Sequence, residues 1–195
     1  LGKEVALNEG LSLGTVDIIY TGVAFMGQSY PPIAISDFPF TMRDFDHWAA
    51  YSESDLFSEL AQAYTGITGN HVVNLTYYGA RHVTANKPIL TPADMVDLKI
   101  RTPNAPAYQM FPEITGANPT PMAFSEVYLA LQQGVVDAQE NPLPTIQFKK
   151  FYEVQSNINL TDHITNSLVT IVGPGTVGKL GAEDLKALDA ALIDA

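Results

Sequence analysis

Two polar residues stand where short strands should stop, and their types suit the capture of an acid. Within residues 97–142, Arg101 follows the run Leu98-Lys99-Ile100 and is halted by Thr102-Pro103. Further on, Gln139-Glu140-Asn141 follow Val135-Val136-Asp137-Ala138 and are halted by Pro142. Arginine presents a planar fork that grips a carboxylate through two hydrogen bonds. In open α/β sheets small ligands sit just outside the carboxyl ends of strands. The spacing therefore predicts that Arg101 and Asn141 hold one small ligand between them.

Other reactive groupings are weaker. The chain has three arginines, Arg43, Arg81 and Arg101, and Arg81 follows Gly79 at a change of chain character. It reads either as a ligand contact or as the partner of one of the many carboxylates. Asn141 is held extended by the following proline, which suits an aimed amide or a local turn. Phe124 reads as core or as an apolar wall beside Ser125, whose helix start would suit an anion. Asp137 and Glu140 are conceivable as an acid and base pair, although structural roles fit them better. His47, His71, His82 and His163 show no metal-ligand spacing, so no metal is expected. There is no nucleophile elbow, phosphate loop or dinucleotide fingerprint, and no cofactor is expected.

Composition sets the outer limits. The 195 residues are 46% hydrophobic and 16% charged, ordinary for a folded chain with one large or two small cores. A net charge of −11 argues against nucleic acid or an anionic membrane as partner, since both repel such a surface. It leaves room for a small anion held by a local cluster of donors. The absence of cysteine excludes disulfides and thiolate chemistry. No apolar run approaches the roughly 18 residues that cross a bilayer.

Helices and strands alternate along the chain, which predicts an α/β protein with a largely parallel sheet. A helix over 5–13 ends at Gly14, and TVDIIY at 15–20 reads as a buried strand. Residues 33–40 (IAISDFPF) are apolar and extended. Helices follow over 44–50 and 54–64, the second capped by Ser54. A strand over 71–77 passes through Gly79 into Arg81-His82-Val83-Thr84, as where one lobe hands the chain to another. Thr91-Pro92 starts a compact helix, and residues 105–114 form another. The strongest helix signal is 125–133, with Ser125 as cap and Gly134 as terminator. A helix over 143–155, a strand over 166–172 and an amphipathic helix over 181–195 with Leu185, Leu188 and Leu192 in one stripe complete the chain.

The segments DLKIRTPNAP, GANPTPMAFSEVYLALQQGVVDAQENPL and FYEVQ, with LGKEVALNEGLSLGTVD and YYGARHVTAN before them, closely resemble the substrate-binding proteins of tripartite ATP-independent periplasmic (TRAP) transporters. The likeness covers essentially the whole chain, with the sialic-acid and C4-dicarboxylate binders as the first branches for comparison. It implies a two-lobed periplasmic binding protein fold, type II-like, with lobes at 1–79 and 167–195 on one side of a hinge and 80–166 on the other.

The same resemblance implies a periplasmic, monomeric receptor, not an enzyme, that closes on an organic acid and delivers it to a TRAP permease. It places the family's carboxylate-pairing arginine at Arg101, a second cleft arginine at Arg81, and further contacts at Phe124 and Asn141. Where some sialic-acid binders have an acidic residue at the end of the TVDIIYTG strand, this chain has Gly22, which weakens that assignment. Family members carry further elements before and after the matched span, so the fold is expected to be incomplete at both termini. The alternatives are an enzyme acting on a small organic acid, and a sensory receptor.

Overall fold

The computed structural model describes residues 3–194; Leu1, Gly2 and Ala195 lie outside the described residues. The strands are β1 (Ile18–Gly22), β2 (His71–Ala85), β3 (Lys99–Thr102), β4 (Asn118–Pro121), β5 (Ala138–Pro142) and β6 (Asn157–Val172). They form one sheet in the order β1-β6-β2-β5-β3-β4. The helices are α1 (Glu4–Leu13), α2 (Val23–Met26), α3 (Phe45–Ser52), α4 (Asp55–Thr68), α5 (Pro106–Ile114), α6 (Val127–Gln132), α7 (Leu143–Phe148), α8 (Pro174–Val177) and α9 (Ala182–Asp194).

The sheet is mixed, where a largely parallel one was expected. The pairs β1/β6, β6/β2 and β2/β5 are antiparallel, and only β5/β3 and β3/β4 are parallel. Alternation of helix and strand along a chain sets the layers but not the pairing. The two longest strands, β2 and β6, satisfy one another's backbone along almost their whole length, with Gly79 opposite Asn166. Their ladder is irregular at Val72/Asn74, Tyr77/Gly79 and Arg81/Val83. Gly79 sits at φ 104, a region that a side chain rarely tolerates, and so carries the strand through its bend.

Apolar residues collect at the two ends of this ladder. Val169 and Ile171 of β6 join Leu11, Ile19, Val23 and Ile33 in one core. Val83 and Ala85 of β2 join Ile100, Met95 and Phe111 in another. A further cluster under α6 contains Val127, Leu131, Ile146 and Phe151. Between the first two lie a smaller apolar cluster, with Phe25, Tyr108 and Ile164, and a group of buried polar residues, among them Asp37, Arg81, Glu140, His163, Asn166 and Ser167.

Local signals explain most helix ends. Ser54 Oγ accepts from the Phe57 amide and Gly69 closes α4. Asp44 caps α3 through the His47 amide, 2.8 Å away. Thr91 and Asp94 form a reciprocal capping box around a short 3-10 turn. The stripe on α9 is present: Leu185, Leu188 and Leu192 are its half-buried leucines, and Asp189 on the same side meets His71 of β2 at 2.9 Å.

Several segments differ from expectation. Residues 33–40 are not extended: Pro31–Asp37 is a 3-10 helix, begun by two prolines and ended at a buried carboxylate. Ser125 caps nothing. It lies inside the 3-10 turn Phe124–Glu126, and α6 begins only after Glu126, which makes no capping hydrogen bond. The helix expected over 143–155 stops at Phe148, because Lys150 takes a left-handed conformation (φ 55) before a second 3-10 turn. Strand β6 begins at Asn157, well before residue 166, and β4, with prolines at an edge, has no apolar pattern to announce it.

Candidate ligand-binding site

The second anchor arrives by a different route from the one its spacing suggested. Val135, Val136 and Asp137 precede the strand instead of forming it. Asp137 closes the strand entrance by giving its amide to Lys99 O (2.8 Å) and accepting the Lys99 amide (3.0 Å). Gln139, Glu140 and Asn141 therefore lie inside β5, and Gln139 is the register partner of Arg101 on β3. Asn141 donates to Gln139 Oε1 and accepts weakly from Arg81.

Arg101, Arg81, Asn141 and Phe124 all line one cavity of about 470 Å³, together with Tyr20, Gly22, Tyr78 and Tyr108. Their environments differ sharply. The Arg101 guanidinium is 2% exposed and donates from Nε (3.1 Å) and Nη2 (2.7 Å) to the Met122 carbonyl. It faces the Phe124 ring at 5.8 Å and has no carboxylate partner among the described residues. Burial pulls it down to about 10, so it is still a cation at neutral pH.

Arg81 is already matched. Its Nε and Nη2 donate to the Glu140 carboxylate, Nη2 also to the Glu140 carbonyl (2.9 Å), and Nη1 to Asn166 Oδ1 (2.7 Å). Its guanidinium stacks over Tyr108, 4.7 Å from the ring centre. Burial opposes the charge, but Glu140 more than offsets it and holds the guanidinium above its ordinary value. Burial likewise works against ionised Glu140, and Arg81 with His163 outweighs it, so the carboxylate is held below its usual range. Burial pushes His163 down as well; it stacks on Phe111 at 4.1 Å, with Nε2 3.4 Å from Glu140.

Behind Arg81, Asp37 gathers four donors. Its Oδ2 accepts from the Asn166 amide (2.9 Å), the Tyr108 hydroxyl (3.1 Å) and the Ala24 N–H (3.3 Å), and its Oδ1 from the Ser167 N–H (3.1 Å). Sequence reasoning missed Asp37, Tyr108, His163 and the Asn166 side chain as parts of one network. A usable signal existed for Asp37: a carboxylate inside the apolar run IAISDFPF must find partners if it is buried. Nothing local marked the others: the partners of Tyr108 and Asn166 in the network are 58 to 129 residues away in the chain, and His163 meets Glu140 across 23.

The conceivable acid and base pair does not assemble at the cavity. Glu140 is fully buried against Arg81, Asp137 is at the strand entrance, and neither lines the cavity. The helix start at Ser125 offers no anion site, since the residue before α6 is the acidic Glu126, paired with Lys3 at 2.6 Å.

The fold is a mixed α/β one in which residues of the two long antiparallel strands, Tyr78 and Arg81 of β2 and Asn166 and Leu168 of β6, line the cavity. The family model for bacterial extracellular solute-binding protein, family 7, matches residues 1–195, and the chain belongs to that family. It is 40% identical over 184 residues to the sialic acid-binding periplasmic protein SiaP of Vibrio cholerae, covering 94% of this chain and 57% of that protein. A TRAP periplasmic solute-binding protein from Polaromonas sp. JS666, solved with bound D-erythronate, superposes with a TM-score of 0.92 at 36% identity, covering 97% of this chain and 63% of that one. Another from Sulfurospirillum deleyianum, solved with bound succinate, gives a TM-score of 0.88 at 31% identity over 97% of this chain and 61% of that one. The chain thus spans a little over half of the curated relative and about three fifths of the solved ones.

Proposed function

We propose that the protein is an extracytoplasmic solute receptor that binds the carboxylate of a small organic acid in the cavity at Arg101 and delivers it to a TRAP membrane permease. The observation that carries this reading is the contrast between the two arginines. Arg81 is neutralised by Glu140, whereas Arg101 is a buried cation on a cavity wall without a carboxylate partner among the described residues. A buried charge is costly until an opposite charge reaches it, so the cavity favours an anion at that point. The acids bound by the relatives above share a carboxylate and little else, which agrees with an arginine as the common anchor.

In this reading Arg101 forms a bidentate pair with the carboxylate, Asn141 orients the rest of the ligand, Phe124 is an apolar wall, and Arg81 supports the cleft. The chain before Gly79 and after Asn166 forms one lobe, residues 80–166 form the other, and Gly79, Asn166 and Ser167 are the hinge. The two separate cores and the bend at Gly79 support that division. Closure would expel water and strengthen the charged contacts. The receptor works as a periplasmic monomer and releases its ligand unchanged.

The test is calorimetric titration of a panel of organic acids into the protein and its Arg101→Ala variant, with the acid assayed afterwards. Stoichiometric binding, weakened at least about tenfold in the variant, is expected, from the ~1.5 to 3 kcal/mol of a charge-assisted hydrogen bond. Unchanged affinity in the variant, or consumption of the bound acid, would sink the proposal.

A further inference from the structure

We propose that the cavity selects a singly charged ligand, a hydroxylated monocarboxylate in preference to the dicarboxylate of equal length. The inference rests on the reading of Arg101 as the carboxylate anchor and adds a count of the charges around it.

Among the described residues three charged side chains line the cavity: Glu4, Arg81 and Arg101. Arg81 is spent on Glu140 and Asn166. Arg101 is the remaining cation. Glu4, in the first turn of α1, is half-buried and belongs to no ion pair among the described residues. Burial pulls the Arg101 guanidinium down to about 10, and Glu4 is among the carboxylates that act in the opposite direction, so its field reaches the anchor.

Lys3 and Lys149 are occupied elsewhere. Lys3 is paired with Glu126, and the Lys149 ammonium lies over the rings of Phe124 and Phe148 at 4.8 and 5.6 Å; neither lysine lines the cavity. A first carboxylate meets Arg101. A second one meets no free cation among the described residues, and Glu4 repels it.

The uncharged lining suits hydroxyls instead. Thr21 Oγ1 accepts from the Asn8 amide at 3.2 Å, which leaves its own O–H free to donate. The Tyr20 phenol, on a ring 57% exposed, makes no side-chain hydrogen bond among the described residues and borders the same space. A terminal hydroxyl can accept from or donate to either group, whereas a terminal carboxylate would lose hydration without gaining a counter-charge.

Matched acid pairs test this on the full chain by calorimetry near neutral pH: D-erythronate against meso-tartrate, and D-gluconate against D-glucarate. Within each pair only one end differs, a hydroxymethyl group against a carboxylate. The monoacid is expected to bind at least tenfold more tightly in any pair that binds, and Glu4→Gln is expected to narrow that gap severalfold. Equal affinities, or tighter binding of the diacid, overturn the charge selection and leave the receptor reading intact. A monoacid preference that Glu4→Gln does not narrow removes Glu4 from the account and overturns the proposal as argued. Failure of all four acids to bind overturns the selection for a hydroxylated monocarboxylate, and equal binding by Arg101→Ala overturns the receptor reading itself and the selection with it.

Discussion

Arg81 of β2 and Glu140 of β5 face one another at 3% and 0% exposure, joined by two charge-assisted contacts from Nε and Nη2. Each neutralises a charge that the interior would otherwise reject. Replacing Glu140 by Gln strands the guanidinium, and a loss of roughly 3 to 5 kcal/mol is expected, the range for breaking one side of a buried pair. Urea denaturation of the variant and of the double replacement Arg81→Met/Glu140→Leu checks this. The double variant should recover much of the loss. A Glu140→Gln protein as stable as the parent would show that water, not Glu140, satisfies Arg81.

Arg101 presents the opposite case. Because no carboxylate compensates it among the described residues, Arg101→Met removes a buried charge and fills the space with hydrocarbon. Stability is expected to stay within about 1 kcal/mol of the parent or to rise, while carboxylate binding is lost. Paired denaturation and titration experiments separate the two effects. A large destabilisation would mean that the two bonds to the Met122 carbonyl, not a ligand, are why an arginine stands there.

Asp37 should leave a signature in the pH dependence of folding. Burial pushes its carboxyl from 3.8 up to about 7, against the donors from Ser167, Tyr108 and Ala24 and the charge of Arg81. A carboxyl raised on folding binds more protons in the native state at intermediate pH. Its contribution is therefore fully present below about pH 4 and is lost as pH rises through about 7. The stability of the parent relative to Asp37→Asn should decline across that window in thermal melts. A relative stability that climbs with pH instead would mean that the four donors outweigh burial and hold the group ionised.

Gly22 is constrained by a neighbour, not by its own backbone. Its dihedral angles are ordinary for a strand end (φ −68°, ψ 135°), yet a Cβ there would stand 2.7 Å from the Tyr108 hydroxyl oxygen. That hydroxyl is tied to Asp37 and Asn166 and cannot swing aside freely. Gly22→Ala is expected to cost about 1 to 3 kcal/mol, the usual penalty for overfilling a packed site. Recovery in Gly22→Ala/Tyr108→Phe would assign the cost to that oxygen; no recovery would place it elsewhere.

Much of the local architecture was legible because its causes are local. Ser54, Asp44 and the Thr91/Asp94 pair cap their helices through amides three residues away. The period of Leu185, Leu188 and Leu192 marks the inward side of α9 whatever it packs against. The β5 boundary was misread for a related reason. Val135 and Val136 carry strand-like side chains, but whether a segment pairs depends on a partner, and β3 takes the Asp137 amide at Lys99 and pairs in register only from Ala138 onward. The 3-10 helix over Pro31–Asp37 was missed because its far end is tied to Ser167 and Asn166, which a local pattern cannot show.

By itself the sequence determined that the chain is α/β, where most helices begin, and that an arginine and an asparagine follow short apolar runs on either side of a strong helix signal. Those properties depend on side-chain type and on neighbours within a few residues, so the linear order contains them. Only the tertiary structure decided which arginine was free. Arg81 and Arg101 are the same chemical group, and what separates them is that Glu140, 59 residues beyond Arg81, stands beside one and not the other. Burial then amplifies that difference, because a charge removed from water depends on its immediate partners far more than an exposed one does.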